Sequence, residues 1–166
     1  RRYQDFVGFN YYFTDYFKGI LRRNPKTHHR HVNTGHRGPH RKRRHNPEGP
    51  LSDLGWYMEP SGVYHVIMAA AKRYQKPIII TETGVADQHD RYRQWWIEET
   101  LDGVARANIK GANVVGYFHW SLLDNFEWSA GWWPRFGLVA VDRAGGMKRM
   151  VKKSGHWYAA KIKDLS

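Results

Sequence analysis

Apolar and polar positions along this chain follow two different periods, one typical of buried strands and one typical of helices. Residues 78–81 (Ile-Ile-Ile-Thr) form a short apolar run, the pattern of a strand that is buried on both faces of a parallel sheet. Residues 61–75 carry apolar side chains at helical spacing, and Pro77 ends that helix. The same patterns predict further strands at residues 5–12, 114–120 and 136–141 and further helices at residues 90–107 and 150–163.

The predicted elements alternate between strands and helices, which is the order found in parallel α/β folds. Such alternation implies parallel strands that are joined by right-handed crossovers. The pattern alone leaves two architectures open, a doubly wound sheet and a (β/α) barrel. Because a barrel needs eight strands, a chain with so few main strands would be only part of one.

The segment from about residue 18 to residue 50 interrupts this alternation. It is rich in Gly and Pro and lacks apolar periodicity, so we predict an irregular loop. Within it, residues 22–45 hold nine Lys and Arg, no Asp or Glu, and six of the ten His. The chain has a net charge of +12, and removing these nine charges would leave +3, so most of the excess belongs to this loop.

Three interpretations of the basic, His-rich loop at residues 22–45 stay open. A solvated surface loop is the simplest of them. The run His-His-Arg-His at residues 28–31 would bind a transition metal weakly, and Arg-Lys-Arg-Arg at residues 41–44 would bind phosphates. Since no aromatic residue is interleaved for base stacking, we do not expect specific binding of single-stranded nucleic acid.

Composition narrows the class of protein further. Eight Trp, ten Tyr and seven Phe suit a domain with a packed core and not a disordered chain. The absence of Cys excludes disulfides and thiolate metal sites. No apolar run reaches the roughly 18 residues of a membrane helix, and residues 1–5 lack the apolar stretch of a signal peptide. We therefore expect one soluble, cytoplasmic domain over residues 1–166.

Glu82 is the first candidate for chemistry. It lies at the C-terminal end of the apolar strand, just before Gly84, and catalytic side chains project from that end of the sheet in parallel α/β folds. Asn10 and Tyr12 lie two residues apart on the first predicted strand, so both point to one face. A Tyr hydroxyl beside a carboxylate would hold it in position and stabilise its charged form. The structural alternatives are a Glu that pairs at a strand end and a Tyr that only packs.

A second candidate region follows the strand at residues 114–120. Trp120 ends that strand, and residues 121–128 (Ser-Leu-Leu-Asp-Asn-Phe-Glu-Trp) combine aromatic with planar polar side chains. Trp faces pack against the C–H faces of pyranose rings, while Glu, Asn and Asp bond to hydroxyl groups, so this mixture suits a carbohydrate pocket. The alternative is chance clustering in a chain that has eight Trp.

The ordered run of residues 117–128 resembles the last barrel strand and the following loop of the family-1 glycoside hydrolases, the β-glucosidase and β-galactosidase group. Residues 80–84 look like the nucleophile strand of that family, which usually has Asn in place of Thr83, and residues 5–12 look like the strand before it. The resemblance implies an α/β fold that is a partial (β/α)8 TIM barrel, comprising roughly its last three βα units. The other segments that fit are residues 49–56 and 129–142.

The resemblance also implies a retaining β-glycosidase and a role for each matching residue. Glu82 would be the nucleophile, and Tyr12 would hydrogen-bond its carboxylate, with Asn10 close by. Glu127 and Trp128 would contact the sugar, and because family members that cleave phosphorylated sugars usually replace this pair, unphosphorylated β-glycosides are favoured. This chemistry needs no metal and no organic cofactor. The remaining sugar-site residues would be Trp120, a platform under the sugar, and Phe136, which would line the pocket.

One part of that machinery is absent from this sequence. Retaining hydrolysis needs two carboxylates about 5–5.5 Å apart, and the family carries its acid/base in an Asn-Glu-Pro motif that this chain lacks. The resemblance therefore implies a partner, which would be a complementary N-terminal barrel fragment or chain. Two other functions stay open: a non-catalytic, carbohydrate-binding half barrel, which Thr83 slightly favours, and polyanion binding through the basic loop.

Overall fold

The computed structural model describes residues 3–14, 22–23, 30–31 and 50–165. Among these residues, none of the helices is long and apolar enough to cross a membrane. The elements in chain order are β1 (Val7–Tyr11), β2 (Arg22–Arg23), β3 (Arg30–His31), α1 (Gly62–Tyr74), β4 (Ile78–Thr83), α2 (Arg93–Ile109), β5 (Val114–His119), a 3-10 turn (Trp128–Ala130), β6 (Val139–Asp142), β7 (Lys148–Val151) and α3 (Lys153–Leu165).

The strands β1, β4 and β5 form one parallel sheet in that order. Val7 pairs with Ile78 and Ile78 with Val114, so the carboxyl ends of all three strands lie at the same edge. The helices α1 and α2 connect these strands and pack against each other. The parallel α/β class predicted from the alternation is thereby confirmed, and the candidate strand ends lie side by side.

The core lies between this sheet and its helices. Ile78 and Ile80 of β4 and Ile67 of α1 are fully buried, and the ring of Trp96 on α2 stacks on Tyr11 with 5.9 Å between the ring centroids. Each such aliphatic side chain contributes roughly 1.5–3 kcal/mol by leaving water. The apolar run in the sequence is therefore the buried centre of the sheet.

The opposite face of the sheet is much less covered. Phe118 of β5 lies beside Ile79 on this face and is 60% exposed, and Phe6, just before β1, is 51% exposed. Asn10 and Thr81 are exposed on this side as well. Large exposed apolar side chains on one face of a sheet mark a surface that other parts of a protein cover.

Helix α2 begins later than the sequence predicts, at Arg93 instead of residue 90. The Asp87 carboxylate accepts hydrogen bonds from the backbone N–H groups of Tyr92 (2.7 Å) and Arg93 (3.2 Å), which satisfies the first donors of the helix. Asp90 instead accepts two hydrogen bonds from Ser154, near the start of α3. A contact between distant segments therefore decides where this helix begins.

The segment after β5 contains an antiparallel hairpin that the sequence predicts only in part. The strand expected at residues 136–141 lies at Val139–Asp142 and pairs with β7. The sequence does not predict β7, because all four of its residues are exposed and no apolar alternation marks them. Since β7 occupies residues 148–151, α3 begins at Lys153 and not at the predicted residue 150.

Of residues 22–45, the basic loop, the structure describes four. Arg22–Arg23 and Arg30–His31 pair as a short antiparallel ladder, so the prediction of a wholly irregular loop is wrong at these positions. The predicted weak metal site and phosphate site depend on residues that lie outside the described part of the chain. Binding of metal or polyanions by this loop stays a prediction.

Candidate active site

Three candidate side chains lie at the carboxyl edge of the sheet, one from each strand. Tyr12 follows β1, Glu82 is the next-to-last residue of β4, and Trp120 follows β5. The N–H of Trp120 donates to the carbonyl oxygen of Thr83 (2.8 Å), which ties the ends of β4 and β5 together. Side chains at this edge carry the chemistry of parallel α/β folds.

The Glu82 carboxylate is held by the Tyr12 hydroxyl, which donates a hydrogen bond to its Oε2 at 2.7 Å. The pKa of Tyr12 is raised far above its ordinary value by burial, by this hydrogen bond, and by the negative charges of Glu82 and Glu127. Tyr12 therefore remains a protonated donor at neutral pH. The charges of both carboxylates therefore favour the protonated form of Tyr12.

Asn10 lies opposite Glu82 in the register of β1 and β4, as the sequence predicts for neighbouring residues of one site. Its side-chain oxygen accepts a hydrogen bond from the Thr81 hydroxyl (2.7 Å), on the exposed face of the sheet. Asn10 is thus fixed next to the candidate nucleophile strand.

Thr83 points to the other side of β4. Its side chain is fully buried, and its hydroxyl oxygen accepts a hydrogen bond from the indole N–H of Trp96 (3.0 Å) on α2. The pairing of β4 with β5 shifts register between Ile80 and Thr83. Beyond this irregularity Glu82 accepts a hydrogen bond from Tyr12 at the site, while Thr83 enters the core. At the position where the family usually has Asn, this chain therefore makes a core contact.

Phe136 belongs to an aromatic wall beside Tyr12. It is only 1% exposed, and its ring meets the Tyr12 ring edge-on with 6.1 Å between centroids. Trp56 completes this wall at 6.1 Å from Tyr12 and 6.3 Å from Phe136. Trp56 has no local signature of a site residue, although it lies in a segment that carries the family resemblance.

Arg93 fixes the backbone that carries Phe136. Its guanidinium group is fully buried and donates to the carbonyl oxygens of Phe136 (3.3 Å) and Arg135 (2.8 Å). It also forms an ion pair with Asp90. Burial alone would raise the pKa of Asp90, but hydrogen bonds from Ser154 and the charge of Arg93 hold it below its usual value. Nothing in the sequence distinguishes Arg93 from a solvent-facing helix residue, so only the structure identifies it.

The loop after β5 presents Glu127 and Trp128. The side-chain amide of Asn125 donates to Glu127 Oε2 (2.9 Å), and the Glu127 N–H donates to the Gly131 carbonyl oxygen (2.7 Å). The first bond orients the Glu127 carboxylate, and the second holds the backbone that carries it. Trp128 is 83% exposed, whereas Trp120 is partly buried, so the two tryptophans predicted to contact the sugar differ in their surroundings.

His119 is the last residue of β5 and pairs with Thr83 of β4. Its two ring nitrogens are shielded from solvent, and its ring lies 6.3 Å from that of Tyr158 on α3. Burial and the nearby charge of Arg93 lower the pKa of His119 to about 3. The folded protein therefore keeps this imidazole neutral under conditions in which an unfolded chain would protonate it.

Lowering the pH from 7 to 5 is expected to reduce the free energy of unfolding by about 2 kcal/mol through His119 alone. In this range the unfolded histidine, with a pKa of about 6.5, binds a proton that the folded one does not, so stability is lost as the pH falls. Urea unfolding at both pH values, on the wild type and on His119→Gln, measures this difference. His65→Gln, at an exposed position of α1, is the control, and an equal pH dependence in all three proteins would contradict the assignment.

The arrangement suits attack on a carbon of a polyhydroxylated substrate. Glu82 offers a carboxylate oxygen whose partner oxygen is held by Tyr12, and Glu127 offers acceptors for hydroxyl groups. The aromatic wall supplies the apolar surface of a pocket. A retaining mechanism also needs a general acid, and the Asn-Glu-Pro motif expected from the family resemblance is absent from this sequence.

Comparison with known proteins agrees with this geometry. The chain is 36% identical over 173 residues to a 6-phospho-β-galactosidase of Staphylococcus aureus, with 93% of this chain and 36% of the relative covered. It is 39% identical over 126 residues to a chloroplastic benzoxazinyl glucoside β-D-glucosidase of Triticum aestivum, with 69% of this chain and 22% of the relative covered. The chain thus spans about a fifth to a third of the length of these curated relatives.

The structural comparison leads to the same group of proteins. The family 1 β-glucosidase from Thermotoga maritima superposes with a TM-score of 0.73 at 31% identity, covering 96% of this chain and 34% of that enzyme. The family model described as Glycosyl hydrolase family 1 matches residues 1–165. On these grounds the chain belongs to glycosyl hydrolase family 1.

Proposed function

We propose that this chain is the nucleophile-bearing part of a (β/α)8 barrel that hydrolyses unphosphorylated β-glycosides, of the β-glucoside type, with retention of configuration. The hydrogen bond between Tyr12 and Glu82 carries this proposal. A retaining nucleophile must be ionised and aimed at the anomeric carbon, and a half-buried phenol that donates to one carboxylate oxygen supports both requirements.

The reaction would proceed in two displacements. Glu82 attacks the anomeric carbon and forms a glycosyl ester, while the bond to the aglycone oxygen breaks and that oxygen takes a proton from an acid/base residue. Water, deprotonated by the same acid/base, then attacks the anomeric carbon and releases the sugar and the Glu82 carboxylate. In both steps Tyr12 orients the carboxylate, which lowers the cost of reaching the reactive geometry.

The sugar would be held by the side chains around this edge. Glu127, oriented by Asn125, would accept hydrogen bonds from sugar hydroxyls, and Asn10 would lie beside the nucleophile. A carboxylate at this place would repel the phosphate of a 6-phosphosugar, which favours unphosphorylated substrates despite the similarity to a 6-phospho-β-galactosidase. The aromatic surfaces of this sugar site would be Trp120, Trp128 and Phe136.

The acid/base would come from a complementary part of the barrel. This sequence has no Asn-Glu-Pro motif, and three parallel strands do not close a barrel. The poorly covered sheet face with Phe6 and Phe118 is the surface on which further strands would pack. We call this chain together with such a part the assembled enzyme.

A fluorosugar tests the nucleophile without depending on the acid/base. In 2-deoxy-2-fluoro-β-glucosyl fluoride the leaving fluoride needs no protonation, and the fluorine at C2 slows hydrolysis of the glycosyl ester. This chain, co-expressed with the part of the Thermotoga maritima β-glucosidase that it does not match, is expected to gain one fluoroglucosyl group. Peptide mass spectrometry is expected to locate that group on Glu82.

The matched control is Glu98→Gln, at an exposed glutamate of α2, which is expected to label as the wild type does, whereas Glu82→Gln is expected to remain unlabelled. Labelling at another residue would contradict the nucleophile assignment. An intact assembly that binds a β-glucoside but is never labelled would favour the non-catalytic, carbohydrate-binding alternative. Faster turnover of an aryl 6-phospho-β-galactoside than of an aryl β-glucoside would overturn the substrate class.

A further inference from the structure

A buried ion cluster lies at the base of the loop that carries Glu127. Its centre is Asp124, whose side chain is 2% exposed and lies 3.2 Å from Lys152 Nζ and 3.4 Å from Arg135 Nη1. Asp124 also accepts a hydrogen bond from the Gly137 N–H (3.0 Å). Lys152 immediately precedes α3, so the cluster joins this helix to the loop.

The cluster closes the loop at both ends. Asp124 begins the loop and Gly137 ends it, and the bond between them brings together residues that are 13 positions apart. The Asp124 N–H donates to the carbonyl oxygen of Val139 (3.1 Å), and the Asp124 carbonyl oxygen accepts from Arg143 (2.9 Å). Glu127 lies within this closed loop, so its position depends on the closure.

Gly137 shows how tightly the two ends approach. A Cβ atom at this position would lie 2.3 Å from the Asp124 nitrogen and 2.6 Å from the Val139 carbonyl oxygen, both of them backbone atoms that cannot move aside. Any other residue at 137 would therefore push the loop ends apart. The ion cluster and this close approach together fix the positions of the two loop ends relative to each other.

We infer that Asp124 and Lys152 are positioning residues that set where Glu127 stands relative to Glu82. This inference rests on the proposed function, because it gives Glu127 the task of holding the sugar. Displacing the loop would separate a buried carboxylate from its two cations, and a buried charge without its partner is strongly unfavourable. The cluster therefore holds the loop in place without touching the substrate. Small displacements of a binding group, on the order of 1 Å, reduce catalysis about 100-fold.

Asp124→Asn is the test variant, because asparagine keeps the shape and one acceptor oxygen but loses the charge. Asp102→Asn is its matched control, since Asp102 forms an exposed ion pair with Arg106 on the surface of α2 (3.7 Å). Hydrogen–deuterium exchange is measured on this chain over residues 125–136 and, for comparison, over β4. Asp124→Asn is expected to raise exchange in the loop at least tenfold while β4 stays protected, and Asp102→Asn is expected to change neither.

Activity of the assembled enzyme gives the second readout. Asp124→Asn and Lys152→Met are expected to lower kcat/KM for an aryl β-glucoside by roughly 10–100-fold, and Lys152→Arg, which keeps the cation, is expected to recover most of it. Loop exchange in Asp124→Asn equal to that in Asp102→Asn would overturn the inference. A wild-type assembly that is never labelled by the fluorosugar would instead defeat the proposed function, whatever the loop exchange shows.

Discussion

Replacing Glu82 by alanine in the assembled enzyme is expected to reduce turnover of an aryl β-glucoside by roughly 10⁴–10⁶-fold, the loss typical of a deleted covalent nucleophile. The carboxylate is the group that forms the glycosyl ester, and Tyr12, which holds it at 2.7 Å, offers no oxygen of comparable nucleophilicity because its raised pKa keeps it protonated. Steady-state hydrolysis of the aryl glucoside measures the effect.

Azide distinguishes a lost nucleophile from a damaged fold. In Glu82→Ala the space left by the carboxylate admits this small anion, which attacks the anomeric carbon from the same face while the aglycone leaves with a proton from the acid/base. The expected product is the α-glucosyl azide, and its formation restores turnover. Glu98→Ala, on the exposed side of α2, is expected to be as active as the wild type. Unchanged activity in Glu82→Ala would refute the role of Glu82.

Replacing Gly84 by alanine is expected to destabilise the fold by roughly 3 kcal/mol or more, the upper range for forced overpacking. A Cβ atom at this position would lie 1.9 Å from the carbonyl oxygen of Trp120, a backbone atom at the end of β5. Relief of this overlap would have to break the hydrogen bond from the Trp120 N–H to Thr83. Urea unfolding measures the loss of stability.

Gly116→Ala is the matched control for Gly84→Ala. Its Cβ would meet the side chain of Ile79 at 3.1 Å, and a side chain can give way by a few tenths of an ångström where a backbone carbonyl cannot. We expect this variant to lose no more than about 1 kcal/mol, the cost of a small rotamer adjustment. Equal losses in the two variants would show that the approach of β5 to Gly84 is not the controlling contact.

Much of the fold could be predicted from the sequence because its signals are local. The apolar run before Glu82 predicts a buried parallel strand, and the structure has that strand at the centre of its sheet. Helix α1 was expected at residues 61–75 and lies at Gly62–Tyr74. In contrast, β7 carries no apolar alternation, since it pairs with β6 through its backbone while its side chains face solvent.

The candidate site could be predicted only as a set of neighbouring strand ends. Residues at the ends of adjacent parallel strands must lie near one another, which is why Tyr12 and Glu82 were expected to meet. The parts that support them come from distant segments and have no local signature. The Arg93 side chain donates a hydrogen bond to Phe136, which lies 43 positions away along the chain. The Lys152 side chain donates to Asp124, which lies 28 positions away.

The sequence by itself determined the strand and helix order, the strand-end carboxylate Glu82 with its neighbour Tyr12, and the resemblance to a family that the comparisons established. Only the tertiary structure decided that Thr83 belongs to the core, that α2 begins at Arg93, and that Asp124 closes the loop of Glu127. The physical reason is the sequence separation over which each kind of interaction acts. Periodicity and turn residues act over a few positions, whereas hydrogen bonds and buried ion pairs form between residues that become neighbours only after the chain has folded.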